Sequence, residues 1–147
     1  MLGSMPGVLS FLGFGLVRPF VRDQQGDFAT GEAEVLVRAC VGQVLGTRGR
    51  NEKAEGEVPW RTDFGSLLYT LRHAPNDPVT TALAQTYIQD ALARWEPRVR
   101  LRAVTYRTEK SRSDVKGGGD VLVASLVYDL VDGGAVIQTN IQQDVRL

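Results

Sequence analysis

The stretch ARWEPRVRL, residues 93–101, changes its backbone period at Pro97, and that change constrains the fold more than any other feature of the chain. Before it, Leu83, Tyr87, Ile88, Ala91, Leu92 and Trp95 recur at helical spacing behind Asp77-Pro78, an N-cap followed by proline at the first helical position. After it, Val99, Leu101 and Ala103 alternate with Arg100 and Arg102, the period of a strand. Pro97 forces the switch because its ring ends the helix and pushes the preceding residue, Glu96, toward extended geometry. Glu96 therefore falls in the last turn of a helix, beside the negative end of the dipole, at a cost of roughly a few tenths of a kcal/mol. Something other than helix stability fixes it there.

Two more helices precede this one. In ATGEAEVLVRACVGQVLGT, Thr30 can serve as N-cap, Glu32 and Glu34 suit the first turn, and Val37, Cys40, Val41, Val44 and Leu45 share one face of about four turns. The run RGRNEKAEGEVPW, rich in glycine and charge, reads as a solvated loop. In TDFGSLLYTLRHAPNDP, Thr62 or Asp63 can cap a short helix bearing Phe64, Leu67, Leu68 and Leu71, which APNDP stops.

Beyond Pro97 the reading is β. The apolar phase shifts from Ala103 to Val104 and Tyr106, as at a bulge. The polar turn EKSRSDVKGGGD leads into VLVASLVYDLV, and Asp132-Gly133-Gly134 then signals a hairpin into AVIQTNIQQDV. The last strand predicts one covered face, Ala135, Ile137, Thr139, Ile141 and Val145, against a wet face of Gln138, Asn140, Gln142 and Asp144. The strand before it is apolar on both faces, with Val121, Val123 and Val127 opposed by Leu122, Leu126 and Leu130, and would reach about 36 Å at about 3.3 Å per residue. The expected fold is α+β: N-terminal amphipathic helices packed on a small C-terminal antiparallel sheet, with a long protruding β-hairpin whose edge is free for another chain. One domain is expected over 1–147, made of a loosely ordered leader (1–27), a helical part (28–96) and a β part (97–147).

Composition removes several function classes. Seventeen basic residues balance seventeen acidic ones, so no global field recruits nucleic acid or anionic membrane. Seven basic residues between Arg98 and Lys116 face only Glu109 and Asp114, a local excess that suits a solvated strand face or an acidic protein partner. Cys40 is the single cysteine, reads as a small buried hydrophobe, and fits a reducing compartment. The first twenty residues lack the basic start and cleavage site of a signal peptide, and glycines 13 and 15 break a run already too short to span a bilayer. A lone His73 at a helix end, with no nucleophile motif, makes no triad. No metal or cofactor is expected, because no ligand spacing is present and KGGGD lacks the frame of a phosphate loop. A glycosidase would need two carboxylates across a cleft; Glu96 could be one, yet nothing selects Asp63, Asp77 or Asp90 as its partner.

Glu96 and Arg98 then allow two readings. They form a local surface pair worth about 1 kcal/mol at most, or a rigid corner that presents a carboxylate and a guanidinium for recognition. Four pieces in order, FLGFGLVRPF, QVLGTRGR, DFGSLLYTL and YIQDALARWEPRVRL, bear on the choice. Over about residues 11–108 the chain resembles the small baseplate wedge protein, or sheath initiator, of contractile phage tails, with relatives in type VI secretion baseplates and extracellular contractile injection systems. The Trp-Glu-Pro-Arg junction is the most specific of the four pieces.

That resemblance implies a structural, non-enzymatic protein, made in the cytoplasm and present in multiple copies in a symmetric particle. Glu96, Pro97 and Arg98 would dock onto the helical core bundle of neighbouring baseplate wedge proteins. The terminal strands, at Val136, Gln138, Asn140 and Gln142, would accept a strand of the sheath protein, with tube or hub proteins as further neighbours. Neither nucleic acid nor membrane is implied as a partner. The loop from Arg50 to Pro59 is longer and more charged than the resemblance leads one to expect. Two alternatives stay open: a soluble regulatory binding protein like the stress-response anti-adaptors of related fold, and a lysozyme-like glycosidase.

Overall fold

The structure, a computed structural model, describes residues 12–17, 20–72, 74–75, 77–110 and 120–146. His73, residues 116–119 of the KGGGD turn and the first eleven residues lie outside these. Contacts divide the chain into two units, Met1–Gln43 and Val44–Leu147.

In the first unit, strand β1 (Phe14–Leu16) pairs antiparallel with β2 (Thr30–Glu32), Phe14 opposite Glu32 and Leu16 opposite Thr30. The ribbon continues through Val17 N–H to the Ala29 carbonyl (3.2 Å) and Ala29 N–H to the Val21 carbonyl (2.8 Å). It turns at Asp23, whose Oδ1 accepts the N–H groups of Gln25 (2.8 Å) and Asp27 (3.0 Å). The described part of the expected loose leader is thus a hydrogen-bonded ribbon. Gly31 makes its close approach possible, since a Cβ there would lie 2.5 Å from the Val17 side chain.

Helix α1 (Ala33–Gly46) follows β2 without a break, and the boundary between the units falls inside it. Thr30, expected as the N-cap, instead pairs with Leu16; the chain turns into the helix through Ala33, held at φ 51°. Leu36, Val37, Val41, Val44 and Leu45 are buried, each worth roughly 1.5–3 kcal/mol relative to exposure. Cys40, expected to be buried, is only half-buried.

In the second unit, a 3-10 helix spans Leu68–Leu71 and begins at Leu67 with no side-chain cap. Asp63, expected to cap it, is paired with Arg94 (2.6 Å). Helix α2 (Pro78–Trp95) forms as expected, with Asp77 Oδ1 accepting the Thr80 N–H at 2.6 Å. Its buried stripe is Ala84, Ile88, Ala91 and Leu92, while Leu83 is 39% exposed.

The sheet runs β3 (Val99–Lys110), β4 (Asp120–Asp132), β5 (Ala135–Arg146), all antiparallel, with β4 in the centre. The register of β3 on β4 shifts between Leu101 and Ala103, a bulge just before the Ala103–Val104 step at which the apolar phase placed it. Gly133 (φ 53°) and Gly134 (φ 93°) form the two-residue hairpin turn, both in the left-handed region that such turns require. Central position explains why β4 is apolar on both faces. Ala124, Leu126, Tyr128 and Leu130 are fully buried on one face, and Val123, Asp129 and Val131 are covered on the other.

The clean alternation expected of β5 holds only from Ile141 onward, where Ile141 and Val145 are buried and Gln142 and Asp144 exposed; before Ile141 it breaks. Two register shifts, between Tyr128 and Leu130 and between Leu130 and Val131, set Gln138 opposite Leu130, while Gln142 faces Val127 and Val136 faces Val131. A period-two pattern cannot survive extra residues in one strand, because each insertion flips every side chain beyond it.

Candidate functional site

The corner after α2 is built from main chain first. Glu96 caps the helix with φ −132° and ψ 73°, its N–H on the Leu92 carbonyl (2.8 Å). Val99 N–H reaches back to the Glu96 carbonyl at 3.0 Å, closing a tight turn with Pro97 in the position proline favours. Val131 N–H on the Arg98 carbonyl (2.9 Å) pins the turn to β4. Side chains then complete it: Arg98 Nε donates to Glu96 Oε1 at 2.5 Å and Nη2 to Oε2 at 2.6 Å, a bidentate fork. The Glu96 side chain is 3% exposed and that of Arg98 29%. Glu96 thus sits at the helix end because a neighbouring guanidinium takes up both of its oxygens. The pair carries no net charge, and the Pro97 ring lies exposed beside it.

The three residues expected to act together are therefore held as one rigid element. Next to them Trp95 meets Phe64 edge-on (centroids 5.2 Å apart) and carries the guanidinia of Arg94 (4.9 Å) and Arg61 (5.6 Å) over its ring.

Two stretches singled out in the sequence, QVLGTRGR and DFGSLLYTL, are joined in space. Ser66 Oγ donates to the Leu45 carbonyl near the end of α1 (2.9 Å), Ser66 N–H to Thr47 (2.9 Å), and Gly49 N–H to Ser66 (2.9 Å). Gly65, at φ 115°, allows the approach, since a Cβ would stand 2.3 Å from the Thr47 carbonyl oxygen. Tyr69 Oη closes the seam on the Gly49 carbonyl (3.1 Å).

The second candidate element is the outer edge of β5, which pairs only with β4 among the described residues. Of Val136, Gln138, Asn140 and Gln142, the first, second and fourth sit in register with β4, on different faces. Asn140 stands apart: at φ 57° it occupies the bulge, and its N–H donates to Asp129 Oδ1 at 3.1 Å. Asp129 is fully buried and also accepts from Arg102 Nε (2.5 Å). Burial pushes the Asp129 carboxyl up, but the Arg102 and Asn140 bonds and the charges of Arg102 and Arg100 outweigh it, leaving it below the ordinary 3.8. The sequence reading missed this residue, although an aspartate inside VYDLV, a run otherwise apolar on both faces, signals a buried charge in need of partners.

Further along, Arg107 on β3 donates to Ser125 on β4 (2.7 Å) and Asp144 on β5 (2.6 Å), tying all three strands. The Arg107 bond first, then that of Ser125, lowers the Asp144 carboxyl. On the core side, Tyr106 Oη is enclosed without a hydrogen-bond partner among the described residues, and burial raises its pKa from 10 to about 12.

The family model described as baseplate wedge protein gp25 matches residues 32–128 of the 147. The chain belongs to that family. As a gp25-family protein it is a structural baseplate component, and the matched span takes in α1, the Gly65–Ser66 seam, α2, the corner, β3 and most of β4. No curated protein matches the sequence. Among solved structures, a chain of the anti-feeding prophage baseplate, determined with sixfold symmetrisation, is similar with a TM-score of 0.67 and 17% identity, over 85% of this chain and 90% of that one. A protein from Geobacter sulfurreducens, provisionally described as a tail lysozyme, is similar with a TM-score of 0.56 and 23% identity, over 80% of this chain and 91% of that one. At these identities the two structures bear on the fold, which is α+β as expected from the sequence.

Proposed function

We propose that this gp25-family chain docks onto neighbouring wedge subunits through Glu96, Pro97 and Arg98, and that the edge of β5 accepts a strand from the first sheath subunits. It would act in several copies in a symmetric baseplate, beside sheath, tube or hub proteins, and would catalyse nothing. The observation that carries this reading is the corner itself, where an internally neutralised ion pair and an exposed proline ring are locked by main-chain bonds to α2 and β4. Such an element offers a partner shape and a planar guanidinium edge at little entropic cost. The hydrolase alternative is weakened at the same place, because both oxygens of Glu96 are held by Arg98 and none is poised to protonate a leaving group.

The experiment is assembly. Arg98→Ala alone strands a buried carboxylate and costs about 3–5 kcal/mol, so the informative variant removes both charges, Glu96→Ala with Arg98→Ala. It is expected to stay folded by circular dichroism and to be missing from purified baseplates; normal incorporation would sink the docking role. For the edge, Asn140 is a poor probe because its N–H already serves Asp129 and its φ excludes proline. Gln142→Pro is expected to stop sheath growth on baseplates viewed by electron microscopy, with Gln142→Ala nearly silent. A cell-wall digestion assay of the purified chain is expected to show no turnover.

A further inference from the structure

The loop between α1 and the 3-10 helix carries the most exposed large apolar side chain among the described residues, Trp60 at 87%. A tryptophan in water is unusual, since its ring is large and its burial worth several kcal/mol. The loop holding it is built rather than slack. Arg50 N–H donates to the Thr62 carbonyl (2.8 Å) and Glu57 N–H to that of Arg48 (2.8 Å), while the Glu57 carboxylate accepts the Arg48 N–H (3.1 Å). Asn51 Oδ1 accepts both Lys53 and Ala54 N–H groups at 2.8 Å. Gly56 lies so close to Thr62 that a Cβ would stand 1.7 Å from its carbonyl oxygen. At the tip, Arg61 N–H on the Val58 carbonyl (3.1 Å) closes a turn with Pro59 and Trp60 at its centre.

The charges around the tip are unevenly matched. Arg48 pairs with Glu57, Arg50 with Glu55 and Arg94 with Asp63. Arg61 rests over the Trp95 ring at 5.6 Å and has no ion pair among the described residues. We propose that Pro59, Trp60 and Arg61 form a docking tip for another protein, one that presents an apolar pocket for the Trp60 ring with a carboxylate at its rim for the Arg61 guanidinium. A convex aromatic anchor requires a concave partner, and an unmatched cation beside it selects an acidic one. The rigid turn keeps the ordering cost of binding low. The tip adjoins the corner, since Arg61 lies over the ring of Trp95, the residue before Glu96, but it uses none of Glu96, Pro97 and Arg98, so its test is independent of theirs.

The test places the photo-crosslinker p-benzoylphenylalanine at position 60 of the full chain in cells that make it, with position 89 on the exposed side of α2 as control. The expected result is one crosslinked protein other than this chain, found at 60 and not at 89, with an aspartate or glutamate flanking the crosslinked apolar residue. Arg61→Glu in the same chain is expected to lower the yield about tenfold or more, and Arg61→Lys much less. Circular dichroism checks the fold, and Arg61→Gln, which removes the charge without reversing it, carries the same reading should the charge reversal unfold the chain. No crosslink at 60, a crosslink to a second copy, a partner site without an acid, or a yield indifferent to the charge of residue 61 would each overturn the proposal. A partner from outside any baseplate would leave the tip standing and count against the baseplate role.

Discussion

Tyr106 shows how one atom can be the weak point of a packed face. Its ring lies on the core side opposite Ala124, and its hydroxyl is enclosed without a partner among the described residues. An unmatched buried donor costs free energy that its apolar counterpart does not, so Tyr106→Phe should be neutral or stabilise by up to about 1 kcal/mol, read from urea unfolding. The ionisation follows the same logic. Burial favours the neutral phenol and raises the folded-state pKa to about 12 against 10 unfolded. The stability it contributes is intact below pH 10 and lost as pH rises from 10 toward 12. The Phe variant should therefore lose less stability than the parent across that window.

At the scale of elements, the seam between α1 and the 3-10 helix depends on two glycines of opposite character. Gly65 sits at φ 115° against the Thr47 carbonyl, so Gly65→Ala should destabilise by about 2 kcal/mol or more and loosen Ser66 from Leu45. Gly46, the last residue of α1, has no left-handed φ, and a methyl group added there would meet nothing within 4 Å. Gly46→Ala should be neutral or stabilise by about 0.4–1 kcal/mol. Thermal melts of the pair separate a glycine required by close approach from one that merely ends a helix.

For the whole molecule, acid stability rests on carboxylates at three separate places. Asp77 is lowered by the Thr80 bonds at the start of α2, Asp144 by Arg107 and Ser125 across the sheet, and Asp129 by Arg102 and Asn140 despite its burial. Folded-state values below 3.8 mean that their contribution is present above about pH 4 and lost as pH falls through the lowered values. Acid unfolding should begin below about pH 4, and Asp129→Asn should remove part of that dependence as well as lower the melting temperature at about pH 7. The sequence by itself determined the passage from helices to strands at Pro97, the Asp77 cap, the presence of a bulge early in β3 and the hairpin at Gly133, because each follows from the local chemistry of a few adjacent residues. It also marked Glu96, Pro97 and Arg98 as one unit. Only the tertiary structure decided that Glu96 is buried on Arg98, that Thr30 belongs to a strand, that Gly65 meets Thr47, and that Asn140 leaves the alternation to serve Asp129. These depend on which distant backbone groups come to lie together, and a period or a cap signal carries no record of a partner many residues away.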